Sequence, residues 1–283
     1  MRSANPLPRR IRLILMLIVL IAVAVLAKAW HDTMAPPIVQ RQQLPLLPPG
    51  EAPIRIALLA DIHVAGPDMP PSRLETIVAQ VNALKPDLVL IAGDMVSDKR
   101  TATHHYSTAQ AIAPLAALQP TIATVAVPGN HDHWRDMAGV RSALQQNGVI
   151  LLENAATRFG PLTIGGLDDD FTGQADLPAT VQAMAALGGV PIMLSHSPDP
   201  FPDLPPSIRL MLAGHTHCGQ IGYPWGGSPA TMSRYGDLYA CGLVREQGRT
   251  LITSAGMGTS VLPIRLFTRP EIWLIDITPA PGK

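Results

Sequence analysis

Cysteine is nearly missing from this chain: two of 283 residues, Cys218 and Cys241. Two thiols cannot make a disulfide framework or an all-thiolate zinc site. They leave either one disulfide, in an exported domain, or two free thiols, and spacing alone does not choose. An excess of either charge is missing as well. Lys and Arg total 21, Asp and Glu total 21, and the formal net charge is zero. The chain therefore lacks the basic footprint of a nucleic-acid binder. Aromatic residues are only 4%, no internal repeat is visible, and frequent Pro and Gly point to many loops. What the chain has in quantity is apolar side chains, 47% of residues, enough core for one large domain or two small ones.

The longest apolar run lies at the start. Arg9, Arg10 and Arg12 precede an unbroken stretch from Leu13 to Ala27, extended by Ile11 and by Ala29 to Trp30. That suits a membrane-spanning helix whose arginine snorkels. Basic residues in front and few behind keep the N-terminus in the cytoplasm and send the body across the inner membrane. Residues 1–30 thus read as an Arg-rich start and an uncleaved signal anchor. A cleaved signal peptide is the competitor, because Ala27-Lys28-Ala29 is a small-x-small site. Residues 31–53, with six prolines from 36 to 53, read as an extended spacer. Residues 54–283 read as the folded domain.

From Ile54 the pattern becomes strand, helix, strand, helix, strand, helix. "IRIALLADIHV", "PDLVLIAGD" and "TIATVAVPGNHD" are apolar runs of strand length. Helical periodicity follows each, over 72–84, 108–118 and 136–146. The second half has shorter apolar runs, at 162–166, 190–195, 208–213, 251–254 and 272–277, with one helix over 178–187. This is an α/β domain whose second half is rich in strands.

Five of these runs end in polar residues: Asp61-Ile62-His63, Gly93-Asp94, Gly129-Asn130-His131-Asp132, Ser195-His196 and Gly214-His215-Thr216-His217. In open α/β sheets the carboxyl ends of strands line one crevice, so residues far apart in sequence meet there. Side chains at i and i+2 of an extended segment point the same way, which pairs Asp61 with His63 and His215 with His217. Carboxylates with imidazoles suit Mn, Fe or Zn. There are too many such ligands for one ion, and two ions sharing a carboxylate fit better, about 3.5–4 Å apart. Gly93, Gly129 and Gly214 let the backbone turn sharply beside them.

This ordered set resembles the calcineurin-like metallophosphoesterases over essentially all of residues 54–277. "GHTHCGQI" with the closing "RPEIWLIDI" is similar to a membrane-anchored bacterial phosphodiesterase branch. That branch is similar in turn to enzymes that split UDP-2,3-diacylglucosamine. The resemblance implies a four-layer α/β/β/α sandwich. It implies that Asp61, His63 and His217 bind a first ion, that Asp94 bridges, and that Asn130, His196 and His215 complete a second. His131 would stay off the metals and face the substrate, with Asp132 orienting it. Many relatives carry Gly where this chain has Cys218, and the thiol there reads as a tolerated small residue.

The function expected is a phosphoesterase with two divalent ions. It would act on a phosphodiester, a phosphomonoester or a pyrophosphate bond, a lipid-linked substrate such as UDP-2,3-diacylglucosamine being among the candidates. Hydroxide raised from water by the ions would attack in line. That lipid is expected at the cytoplasmic face, whereas the arginines send this domain to the other side. A metal-binding sensor without turnover and a non-phosphate metallohydrolase are the alternatives. Ser195 is no covalent nucleophile, because the Gly-x-Ser-x-Gly elbow is absent. His104-His105 reads as a solvated loop, and the acids of "GLDDDFTG" as a capped turn or a pocket rim. Tyr223 and Trp225 read as an apolar rim, a membrane-docking loop or simple packing.

Overall fold

The computed structural model describes residues 8–281. Its strands follow the apolar runs. β2 (Ile54–Ala60), β3 (Leu88–Ala92) and β4 (Ala123–Val127) pair in parallel, and β5 (Ile150–Leu151) extends them. Between them run α2 (Pro71–Ala83), α3 (Thr108–Ile112) with a 3-10 turn over Ala113–Ala117, and α4 (Asn130–Gln146). Each of these three strands is apolar on both faces, as a sheet covered on both sides requires. In β2, Ala57 and Leu59 pack under the helices, while Ile56, Leu58 and Ala60 face a second sheet.

That second sheet runs β10-β11-β9-β8-β7-β6. β7 (Leu162–Gly166), β8 (Val190–Leu194), β9 (Leu210–Ala213) and β11 (Arg249–Thr253) are parallel. β6 (Ala155–Phe159) and β10 (Gly242–Glu246) close the edges as antiparallel strands. α5 (Leu177–Leu187) covers its outer face, its Met184 in one cluster with Met193 and Met211. Leu58, Leu90, Val125, Ile164, Leu194 and Leu212 fill the space between the sheets. The layers are therefore helix, sheet, sheet, helix.

The first sheet contains two strands from opposite ends of the chain. β12 (Glu271–Pro279) lies antiparallel to β2, and β1 (Ile38–Leu47) lies parallel to β12 at the edge. This corrects the spacer reading of residues 31–53, whose first residues, to Met34, also continue the N-terminal helix. The remainder is extended, but its backbone is spent on the ladder to β12, and Leu44 and Leu47 are buried in the inter-sheet core. Pro45 is tolerated because an edge strand has one side free of partners.

α1 (Arg9–Met34) is long and apolar enough to cross a membrane. Its exposed length ends on the domain, where Ala29, Asp32 and Thr33 are buried. The Thr33 hydroxyl accepts from the Arg265 backbone N–H at 2.6 Å, and Asp32 accepts from that of Phe267 at 3.1 Å.

Candidate metal centre

The carboxyl ends of β2, β3, β4, β8 and β9 lie together, and the polar residues after them meet in one buried cluster. Asp61, His63, Asp94, His196 and His217 are almost wholly inaccessible, and Asn130, His131 and His215 nearly so. Nε2 of His63 lies 3.1 Å from Nε2 of His217, and Asp61 Oδ1 lies 3.6 Å from the latter. Nε2 of His196 lies 3.1 Å from Nδ1 of His215 and 3.0 Å from Asn130 Oδ1. Between the two groups stands Asp94, whose Oδ2 is 3.4 Å from His63 Nε2 and 3.2 Å from His196 Nε2. Every metal ligand expected from the sequence is brought into this cluster.

The local backbone differs from the extended segments assumed for it. Asp61, His63, Asp94, His215 and His217 are all left-handed, with φ of 50°, 50°, 53°, 70° and 52°. Non-glycine residues pay about 1–3 kcal/mol each for strained conformations of this kind, and keep them only where surrounding structure dictates it. The side chains of each pair therefore converge through tight turns and not through a pleated strand. Of the three glycines, only Gly93 has a left-handed φ, 75°. Gly129 and Gly214 serve by their size. A Cβ on Gly129 would overlap the Asp94 carboxylate, and one on Gly214 would lie 2.6 Å from Asp61 Oδ2.

The charges are arranged for cation binding. Burial holds His63 and His217 well below the usual imidazole range, and takes His215 down to about 3. Those rings are neutral and offer lone pairs. Burial pushes Asp61 up to about 7. Burial also opposes charge on Asp94, but His196, His131 and His63 outweigh it and hold the carboxyl well below its usual range. Burial likewise opposes charge on His196, and Asp94 reverses it, lifting that ring well above its usual range. An N–H on one ring satisfies only one of these short contacts. A divalent cation accepts them all, and the donor set of carboxylate oxygen, amide oxygen and imidazole nitrogen suits Mn, Fe or Zn. His63 Nδ1, buried with no hydrogen-bond partner, belongs to a side chain fixed for its other nitrogen.

His131 is positioned twice. It sits in the first turn of α4, and its backbone N–H donates to Asp94 Oδ1 at 2.8 Å. Its ring Nδ1 is hydrogen-bonded to the Asp98 carboxylate, and its Nε2 lies 3.2 Å from the Ser260 hydroxyl at the cavity. The role given to Asp132 is thereby corrected. Its oxygens accept from the backbone N–H groups of Met95, Val96 and Gly129, at 3.0, 3.1 and 3.0 Å. It caps α4 and ties that helix to the loop after β3, and nothing joins it to the His131 ring.

Two further residues escaped sequence reading. Asp98 is one. The other is Arg265, wholly buried, whose guanidinium lies 3.2 Å from His217 Nδ1 and donates to the carbonyls of Ala255 and Gly258. Asp98 sits in the polar loop Ser97 to Thr101, where an acid is ordinary, and Arg265 in an apolar stretch, so neither is marked as part of a site. Cys218, beside His217, is disulfide-bonded to Cys241, so it is a cross-link and not a free small residue.

Above the cluster lies a cavity of about 400 Å³. Asp94, Asn130, His131, His215 and His217 form its floor, and Trp134, Phe171, Ile221, Met232, Val261 and Leu262 its walls. "GLDDDFTG" serves both expected roles. Asp169 caps its turn by accepting from Thr172 N–H at 2.7 Å, and Phe171 stands at the rim, 4.7 Å from the His215 ring. His104 and His105 are exposed and stand apart from the cavity lining.

A family model described as calcineurin-like phosphoesterase matches residues 54–219. An uncharacterized metallophosphoesterase of Bacillus subtilis, YkuE, is 30% identical over 242 residues, covering 82% of each chain. The Escherichia coli phosphodiesterase YaeI is 30% identical over 247 residues, 84% of this chain and 87% of that one. A zebrafish transmembrane protein with a metallophosphoesterase domain is 30% identical over 259 residues; the match covers 84% of this chain and 56% of that protein's length.

Proposed function

Because this chain belongs to the calcineurin-like phosphoesterase family, we propose that it hydrolyses phosphoric esters with two divalent ions held by the cluster. Asp61, His63 and His217 would hold one, Asn130, His196 and His215 the other, and Asp94 both. When bound, such ions supply Lewis acidity that offsets phosphoryl charge and acidifies water. The chain supplies the rest. Asp98 fixes a proton on His131 Nδ1 and stabilises the imidazolium, so Nε2 is the atom that delivers a proton to the departing oxygen. Burial of the floor strengthens each of these interactions by keeping water out.

The observation that carries this reading is the position of Asp94, between two convergent sets of carboxyl, amide and imidazole side chains with His131 alongside. The test is turnover of bis-p-nitrophenyl phosphate with added Mn²⁺. His131→Ala should keep its metal and lose about 10²–10⁴-fold in rate, whereas Asp94→Asn should lose metal. Equal metal content and equal activity in both variants would overturn the assignment.

The finer reading is a lipid-linked phosphoester taken at a membrane. It is supported by α1 and by the apolar walls above the polar floor. The arginines in the first turn of α1, and the Cys218–Cys241 disulfide, favour an oxidising compartment outside the cytoplasm. UDP-2,3-diacylglucosamine has suitable chemistry, but its expected cytoplasmic face argues for a phosphoester of the outer leaflet in its place.

A further inference from the structure

The segments 220–229 and 260–268 form one surface. Gln220 Nε2 donates to the carbonyls of Leu262 and Ile264, at 2.9 and 3.0 Å, and the backbones of Gly222 and Leu266 are hydrogen-bonded at 2.8 Å. The two segments contain a single charged residue, Arg265, and it is buried. What they expose is apolar and aromatic: Trp225 is 80% exposed, Val261 68% and Phe267 46%, with Tyr223 stacked on Trp225. An uncharged exposed patch of this kind is uncommon on a soluble face, and Trp and Tyr favour the membrane–water boundary.

The surface has a fixed height relative to α1. Lys28 is the first charge after the apolar run, so it marks the level where hydrocarbon gives way to headgroups. Its ammonium lies 5.1 Å above the Phe267 ring. Phe267 and Arg265 are bonded through their backbones to Asp32 and Thr33 of the same helix. The Arg265 side chain then reaches His217. One residue thus spans from the end of α1 to the metal centre. The exposed Trp30 of α1 and the exposed Arg269 flank the same region.

We infer that the segments 220–229 and 260–268 rest on the bilayer that holds α1, so that the cavity, walled on that side by Ile221, Val261 and Leu262, opens at the lipid surface. The occupant of the patch is lipid, because the patch continues the surface of a helix whose own partner is lipid. This rests on α1 crossing the membrane, as proposed above, and is independent of phosphoesterase turnover.

The test uses the full chain, one copy per nanodisc of phosphatidylcholine and phosphatidylglycerol. A spin label is placed singly at Val261→Cys, Trp225→Cys, Leu20→Cys and Ile150→Cys, the native thiols being paired in the disulfide. Leu20 is the reference within α1. Ile150 is the reference on β5, at the sheet edge opposite β1. Polar nickel chelate is excluded from hydrocarbon and oxygen is not, so the ratio of their collision rates should be about tenfold higher at Leu20, Trp225 and Val261 than at Ile150. A label at Trp225 and Val261 as wet as Ile150, with Leu20 in lipid, overturns the inference while leaving the anchor intact. A label shielded from both probes means a protein contact and overturns it too. If Leu20 is wet, α1 does not insert and the inference falls with it. Turnover of bis-p-nitrophenyl phosphate by the Trp225→Cys chain, whose side chain is outside the cavity, reports separately on the hydrolytic reading.

Discussion

Asp132 is the immediate neighbour of His131 and Asp98 lies 33 residues before it, yet it is the remote acid that serves the ring. Asp98 bonds the His131 ring, and Asp132 bonds three backbone N–H groups. Asp98→Asn should therefore keep metal content and lower turnover about 10–100-fold, the usual effect of removing a residue that orients a reactive imidazole. Its rate–pH profile should move with it. Asp132→Asn should act on stability, lowering the melting temperature by the loss of a buried cap, about 1–2 kcal/mol, with the pH profile in place. Calorimetry beside a rate–pH series distinguishes the two. Gly129→Ala should expel metal, measured by atomic absorption, because its Cβ needs the space of the Asp94 carboxylate. The clustered residues themselves were legible in the sequence, since metal chemistry restricts candidate ligands to a few residue types and the fold puts them after apolar runs. Asp98 was not, because an acid in a loop is ordinary until its partner is seen. Arg265 was not, because arginine in "PIRLF" reads as solvent-facing, and only the fold buries it. The left-handed backbone at the ligands was also hidden, since Asp and His carry no local signal as strong as glycine's.

At the scale of elements, β2, β3, β4, β7, β8, β9, β11 and β12 were visible as apolar runs, because strands covered on both faces need them. β1 was hidden. It is an edge strand with polar alternation, "IVQRQQLPLL", and the prolines around it resemble a spacer. Its importance is testable by truncation. A chain beginning at Lys28 should keep its thermal transition. One beginning at Gly50 should melt at least about 10 °C lower, since it loses a ladder and the burial of Leu44 and Leu47. Circular dichroism on the two fragments decides it, and a true spacer would give equal midpoints. α4 began six residues before its predicted start because Gly129 and Asp132 cap it at the metal ligands, and it bends at Asp136. Apolar periodicity marks only the part beyond that bend.

At the scale of the molecule, the two sheets are held together by apolar burial except at the candidate metal centre, where imidazoles and carboxyl groups replace hydrocarbon. Ions bound there bind the native state alone, so their removal should be felt globally. At a hundredfold excess over the dissociation constant, bound metal adds about 2.7 kcal/mol, or roughly 5–10 °C for a domain of this size. Scanning calorimetry with and without a chelator measures this, and an unchanged transition would mean no bound ion. The edge position of β1 has another consequence, for biogenesis. Its partner among the described residues, β12, is made more than two hundred residues later. A chain still being synthesised therefore holds an open sheet edge until the closing strand arrives. Such long-range pairing is slow, and in that interval the unfinished domain depends on whatever shields a naked strand edge from its neighbours.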